Sequence, residues 1–176
     1  MVTREQLLVI MPYARTRVDL FIDFLNNSME EFSINTPERQ AAFLAQVGHE
    51  SGQLKYVREL ASGAAYEFRK DLGNNNKGDG VRYKGRGLIQ ITGKTNYAEV
   101  LLSLNINCLE HPELLETIPN ACRTAAWWWK HHGLNELADK CEFLKITKII
   151  NGGTNGLGER LKLFEVAKRV LKVSNK

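Results

Sequence analysis

Two glutamates, Glu50 and Glu59, stand nine positions apart in the chain and could carry out acid–base chemistry together. The first continues a run of mostly apolar residues, and the second follows two basic residues. A carboxyl group that keeps its proton, close to one that has lost it, is what hydrolysis of a glycosidic bond requires. Glycoside hydrolysis is therefore the first hypothesis for this chain.

Glu50 falls on the buried face of a predicted helix. It follows Val47 by three residues and Phe43 by seven, positions that share one helix face. It also lies in the last turn, where the helix dipole is negative. Because burial and this dipole both disfavour a carboxylate, we expect Glu50 to keep its proton and act as the general acid. The alternative is a helix-end glutamate exposed to water.

Glu59 follows Lys55 and Arg58, so we expect it to be more exposed than Glu50, close to positive charge, and ionised. An ionised carboxylate suits a general base that activates water. Glu67 is an alternative base. Each of these two glutamates, taken alone, is also typical of a solvated surface.

Residues 83–93 (YKGRGLIQITG) form the second candidate region. Gly85 and Gly87 permit close approach of the backbone to another group. Gln90 and Thr92 are two apart on a segment predicted to be extended, so they should face the same side, one binding a sugar and the other holding a water. A nucleotide-binding loop is excluded, because the glycine that such a loop needs would fall at Leu88.

Asn151 is the third candidate, at the predicted end of a helix and before two glycines. It is either a cap residue or a hydrogen-bonding sugar ligand. Arg160 either pairs locally with Glu159 or reaches the cleft. The spacing of the histidines and cysteines predicts no metal site, and no serine or cysteine nucleophile motif is present.

Helices must position these side chains. Thr3 is expected to cap a first helix, while Thr36 and Pro37 are typical of the start of the buried helix that carries Glu50. The body of this buried helix covers residues 40–48. Other helical patterns cover residues 15–32, 64–71, 96–104, 119–132, 144–150 and 157–171. The predicted fold is mainly α, with at most a small β-hairpin, in a single catalytic domain spanning residues 1–176.

The composition limits the classes of partner that this chain is expected to bind. The 176 residues carry a net charge of +4 with scattered Lys and Arg, which argues against a nucleic-acid-binding arm but allows attraction to an anionic polymer. No segment has the length of a transmembrane span, and the N-terminal apolar stretch is too short for a signal peptide.

Three motifs in order resemble family 19 glycoside hydrolases: HES at 49–51, YKGRGLIQIT at 83–92 and IINGG at 149–153. The resemblance implies a lysozyme-like, two-lobed helical fold that needs no cofactor. It also implies that Glu50 is the general acid and Glu59 the base, and that Thr92 orients the attacking water. The substrate-binding positions that the resemblance implies are Gln90, Asn96 and Asn151, and Tyr83 and Arg160 are further candidates for substrate binding.

Residues 60–74 (LASGAAYEFRKDLGN) look like the bacteriophage endolysin branch of that family. The resemblance then implies a monomer that hydrolyses peptidoglycan glycan strands with inversion and causes lysis of the host cell. Such an enzyme stays in the bacterial cytoplasm until a separate holin releases it to the wall. The alternatives are a chitinase and a non-catalytic glycan-binding module.

Overall fold

The computed structural model describes residues 1–173. The part described is 62% helical with almost no strand, and the prediction of a mainly α fold is confirmed. Its α-helices are α1 (Arg4–Ile10), α2 (Arg17–Glu31), α3 (Pro37–Glu50), α4 (Asp79–Arg82), α5 (Lys94–Leu104), α6 (Ile118–His131), α7 (Leu134–Asp139), α8 (Phe143–Asn151) and α9 (Leu157–Val170). None of these helices is long and apolar enough to cross a membrane.

The buried helix α3 forms where its local sequence predicts it. The Thr36 side chain accepts a hydrogen bond from the Arg39 N–H at 3.3 Å, and Pro37 occupies the first helical position. Every residue from 41 to 48 is buried. At Gly48 the helix approaches α9 so closely that an added Cβ would lie 3.3 Å from Leu163 Cδ1. Because α3 is enclosed in this way, Glu50 at its end starts from a fixed backbone.

Aromatic and small side chains fill the core around α3. Phe43 packs edge-on against Trp129 of α6, with ring centroids 5.4 Å apart and an interplanar angle of 82°. Trp127 and Trp129 are buried, and Trp128 is half-buried. The three consecutive tryptophans therefore contribute mainly to packing.

Residues 57–92 connect the two candidate regions through a few β-type contacts. Arg86 forms isolated antiparallel bridges with Arg58 and with Ile91. Between Arg86 and Ile91 the chain reverses direction, and two residues there, Gly87 (φ 80°) and Gln90 (φ 60°), have a left-handed backbone conformation. This arrangement takes the place of the small hairpin that the sequence allowed.

The prediction of one helix over residues 64–71 is wrong. Two 3₁₀ turns, Ala64–Tyr66 and Lys70–Leu72, stand there instead. Phe68 between them has a φ of 57°, a left-handed conformation that an α-helix cannot contain. Tyr66 and Glu67 have different hydrogen-bond partners, the Glu59 carboxylate and the Gly78 N–H.

Candidate active site

Backbone pairing places Glu59 beside the glycine-rich segment. The Glu59 N–H donates to the Gly85 carbonyl at 3.0 Å, and the Gly87 N–H donates to the Val57 carbonyl at 2.8 Å. These two hydrogen bonds hold residues 57–59 antiparallel to residues 85–87. The carboxylate of Glu59 is thus fixed next to a residue that has no side chain.

Three polar side chains converge on Gly85. A Cβ added to Gly85 would lie 2.8 Å from Gln90 Oε1, 3.2 Å from Glu59 Oε2 and 3.3 Å from Thr92 Oγ1. Gln90 and Thr92 therefore reach the same place, as the sequence predicts, although the left-handed φ of Gln90 shows that the segment is not extended. The three oxygen atoms therefore lie together against the backbone of Gly85, in space that a larger residue at this position would have to share.

The surroundings of Glu59 differ from the prediction. Glu59 is half-buried, and its nearest cationic neighbour in sequence, Arg58, contacts Glu116 at 3.6 Å instead. Glu59 Oε2 accepts a hydrogen bond from the Tyr66 hydroxyl at 2.9 Å. Within the described part of the chain, Oε1 is buried and has no hydrogen-bond partner. The carboxylate forms no ion pair within residues 1–173, so the expectation that it lies close to positive charge is not confirmed; its partner is the neutral hydroxyl of Tyr66.

Tyr66 is a candidate site residue that no sequence motif indicated, and it is identified only by its contact with Glu59. Burial, followed by the hydrogen bond to Glu59, raises the pKa of its hydroxyl above the ordinary value. The hydroxyl therefore keeps its proton and acts as the donor. It holds one oxygen of the Glu59 carboxylate, while the other oxygen is buried and unpaired within the described residues.

On the acid side, Glu50 is the last residue of α3, with 19% of its side chain exposed. Its Oε1 accepts a short, charge-assisted hydrogen bond from Nη2 of Arg160, a side chain only 3% exposed. Of the two partners considered for Arg160, the structure therefore selects the cleft residue. Glu159 instead lies beside His49, with Oε2 2.9 Å from Nδ1, although the geometry is not that of a hydrogen bond.

Two other candidates have structural partners. The Glu67 carboxylate accepts a hydrogen bond from the Gly78 N–H at 3.0 Å, which favours a role in shaping the following loop over that of a base. Tyr83 is 5% exposed and donates to the Leu109 carbonyl at 3.3 Å. This placement favours a core role for Tyr83 over the predicted contact with substrate.

The two asparagines bind nearby backbone. Asn96 donates from Nδ2 to the Thr92 carbonyl at 2.6 Å, so it supports the segment that carries Thr92. Asn151 donates to the Asn155 carbonyl at 2.9 Å and accepts from the Gly153 N–H at 2.8 Å. The C-cap of α8 is Gly152, so Asn151 is the last helical residue, and these contacts favour a role in fixing the following loop over both of the roles considered.

In residues 1–173 no group of three or more His, Cys, Asp and Glu side chains is placed to hold a metal ion. The side chains that do converge are oxygen acceptors and hydroxyls at Gly85, and a carboxyl–guanidinium pair at the end of α3. Such groups can bind a neutral polar ligand and move a proton.

Comparison with known proteins gives relatives in bacteria and plants. The chain is 37% identical over 157 residues to a glycosyl hydrolase family 19 domain-containing protein of Haemophilus influenzae, covering 72% of this chain and 76% of that protein. It is 34% identical over 113 residues to the basic endochitinase CHB4 of Brassica napus, covering 60% of this chain but only 41% of the plant protein. No protein-family model matches the chain.

Solved structures have the same fold. Chitinase C from Streptomyces griseus superposes with a TM-score of 0.79 at 22% identity, covering 98% of this chain and 93% of that one. A class IV chitinase from Zea mays superposes with a TM-score of 0.66 at 24% identity, covering 100% and 84% of the two chains. Together with the sequence relatives, these likenesses identify the protein as a glycoside hydrolase.

Proposed function

The chain belongs to glycosyl hydrolase family 19, and from this premise we propose that it hydrolyses the glycan strands of bacterial peptidoglycan. In this proposal Glu50 protonates the leaving glycosidic oxygen, while Glu59 activates a water that Thr92 orients. The observation that supports this acid–base assignment is the arrangement of side chains around Glu59. Glu59, Gln90 and Thr92 converge on Gly85, and among residues 1–173 the buried Glu59 Oε1 has no hydrogen-bond partner.

An inverting mechanism follows from the family and sets a geometric requirement. The two carboxyl groups should stand about 6.5–9.5 Å apart, so that a water fits between the base and the sugar. The Tyr66 hydroxyl, and the cluster of Glu59, Gln90 and Thr92 oxygens against Gly85 that we call the Gly85 notch, support this proposal. They hold the Glu59 carboxylate among groups that can hydrogen-bond a water, which suits a base better than a nucleophile.

Net charge supports peptidoglycan over chitin as the substrate. The chain has a net charge of +4 and a pI of about 9.0. Peptidoglycan strands carry the carboxylates of their peptide stems, whereas chitin is uncharged, so a basic enzyme is attracted to the former. The second candidate is chitin hydrolysis, which the names of the plant and Streptomyces relatives favour.

One experiment separates these activities. The wild type, Glu50→Gln and Glu59→Gln are compared on purified peptidoglycan and on chitin oligomers, with release of reducing ends as the measurement. Loss of a general acid or base costs about 10²–10⁴-fold in rate, so both variants should be nearly inactive on the true substrate. Glu67→Gln should remain active, since its carboxylate binds the Gly78 N–H.

The outcomes distinguish the alternatives. Turnover of chitin oligomers alone favours a chitinase, and binding to glycan without turnover favours a non-catalytic module. A folded Glu50→Gln variant with full activity removes Glu50 from its role. Mass spectrometry of the reduced muropeptides identifies which glycosidic bond is cut.

We further propose a lytic role in which the enzyme is an endolysin of phage type, made in the bacterial cytoplasm and released by a separate holin. Expression in a bacterial host with and without a holin tests this role. Lysis that needs both proteins, and that fails with Glu50→Gln, supports it. Lysis by the enzyme alone argues against dependence on a holin.

A further inference from the structure

A line of buried polar groups runs beneath Glu50. Gln46 lies one turn earlier on α3, is fully buried, and donates from Nε2 to Thr147 Oγ1 of α8 at 2.8 Å. Gln46 Oε1 accepts from Nη1 of Arg160 at 2.5 Å. Thr147 is also fully buried, and its hydroxyl donates to the Phe143 carbonyl at 3.1 Å. We call these three side chains, Gln46, Thr147 and Arg160, the acid brace.

Donor and acceptor chemistry fixes the direction of this line. A guanidinium has only donors, so the amide group of Gln46 must present its oxygen to Arg160 and its nitrogen to Thr147. The Thr147 hydroxyl has its proton committed to the Phe143 carbonyl, so it can only accept from Gln46. No member can reverse without leaving a buried group unsatisfied, which costs more than the hydrogen bond itself contributes.

Arg160 is held on three sides. Nη1 donates a hydrogen bond to Gln46 Oε1, Nε donates to the Asn155 carbonyl at 3.3 Å, and Nη2 donates to Glu50 Oε1. Because a guanidinium is planar, fixing two of its edges determines where the third nitrogen points. Within the described residues, Glu50 Oε2 accepts no hydrogen bond and remains open to a substrate.

We propose that Gln46 and Thr147 are positioning residues for the acid–base reaction, acting through Arg160 on Glu50. They hold the guanidinium so that it occupies Oε1 and leaves Oε2 to face the glycosidic oxygen. The inference rests on the proposed function, since it assigns Glu50 the role of acid. It adds two side chains on α3 and α8, neither of which touches the substrate.

The first test compares Thr147→Val with Thr147→Ser. Valine keeps the shape of threonine but removes the acceptor for Gln46, whereas serine keeps the hydroxyl. We expect kcat to fall about tenfold in Thr147→Val with little change in KM, since a displaced acid loses alignment in the transition state. Thr147→Ser should recover most of that loss.

Thr124→Val is the matched control for the loss of a buried hydroxyl. Thr124 is fully buried in α6, and its hydroxyl donates to the Asn120 carbonyl at 2.7 Å, like Thr147 to Phe143. Thr124 lies on the base side of the site, with Oγ1 3.1 Å from the position of a Cβ at Gly87, and within the described residues it makes no hydrogen bond to the acid brace, so this variant should lose stability without loosening Arg160. Equal kcat values for folded Thr147→Val, Thr147→Ser and wild type would overturn the proposal.

Gln46→Glu gives a directional test. It places a second carboxylate on Arg160, and this negative charge should make Glu50 hold its proton to higher pH. The alkaline limb of the kcat/KM profile, where a general acid is lost, should therefore move upward. A purely structural role for Gln46 would lower the whole profile without moving that limb.

A readout without substrate separates this inference from the proposed function. The guanidinium protons of Arg160, followed by NMR in the wild type, should exchange slowly because three acceptors hold them. Faster exchange in Thr147→Val, but not in Thr124→Val, supports the acid brace even if the wild type cleaves no glycan tested. Unchanged exchange in Thr147→Val contradicts it.

Discussion

Gly85→Ala tests the base side of the site with a single methyl group. Gly85 does not have a left-handed φ, so alanine can adopt its backbone conformation without strain. The new Cβ would meet Gln90 Oε1 at 2.8 Å, Glu59 Oε2 at 3.2 Å and Thr92 Oγ1 at 3.3 Å. The shortest contact is with the end of a flexible side chain, which can swing aside.

The expected cost in stability is small. Overpacking of this kind costs about 1–3 kcal/mol, and replacing glycine in the unfolded chain returns about 0.4–1 kcal/mol. The free energy of unfolding should therefore fall by roughly 1 kcal/mol. The expected cost in activity is larger, because the methyl pushes the Gln90 and Glu59 side chains out of their positions in the Gly85 notch. A misplacement of about 1 Å costs about 100-fold in kcat, or about 2.7 kcal/mol in activation free energy.

The assay measures kcat by reducing-end release and unfolding by urea titration on the same preparations. Gly158→Ala in α9 is the control, since a Cβ there meets no atom within 4 Å. It should stabilise the helix by up to about 1 kcal/mol and leave kcat unchanged. The reasoning is refuted if Gly85→Ala is folded and its kcat stays within about threefold of wild type.

Three further predictions follow from the surroundings of single side chains. Tyr66→Phe removes the hydrogen-bond donor to Glu59 Oε2, so kcat should fall about tenfold. The acidic limb of the kcat/KM profile should also move to higher pH, because the carboxylate loses a hydrogen bond that favours its charged form. A profile that is lower at every pH, with its acidic limb unmoved, contradicts this. Burial acts to raise the pKa of Asp79, but hydrogen bonds from the Asn76 N–H and from Lys94 outweigh it, so the pKa lies below its ordinary value of 3.8. A group whose pKa is lowered on folding contributes stability above the pKa of the unfolded state, and this stability is lost as the pH falls through the pKa of the folded state. Asp79→Asn should therefore reduce the decrease in the urea midpoint of unfolding as the pH is lowered. An unchanged decrease argues against this role of Asp79. Burial raises the pKa of Cys108 to about 11 and that of Cys122 further, whereas Cys141 is exposed, so a thiol reagent near neutral pH should label Cys141 alone in the native protein and all three residues in urea.

The elements that the sequence predicts well are those specified locally. The cap at Thr36, the proline after it and the apolar run define α3 within a few residues, and the structure has the helix there. Residues 64–71 failed as a helix prediction because the left-handed φ of Phe68 is a tertiary constraint. Nothing in its residue type indicates such a conformation.

In the candidate site too, contacts between residues close in sequence could be predicted, whereas contacts between distant residues could not. Gln90 and Thr92 are close in sequence, and the prediction that they share a side holds at Gly85. Arg160 and Glu50 are 110 positions apart, and local spacing left the partner of Arg160 undecided. Gln46 could have been detected, because it is a polar residue in an otherwise apolar helix run, one turn before Glu50.

The two carboxyl groups are supported by different kinds of structure, and this difference has a consequence. Glu50 depends on the packing of α3, α8 and α9, through a cation buried between them. Glu59 depends on a neutral hydroxyl from a 3₁₀ turn and on a short antiparallel pairing. Segments of this second kind open locally at lower free energy than a helical core does. Heating below the global transition should therefore disturb the base before the acid, so activity should decline while the Arg160 guanidinium protons stay protected.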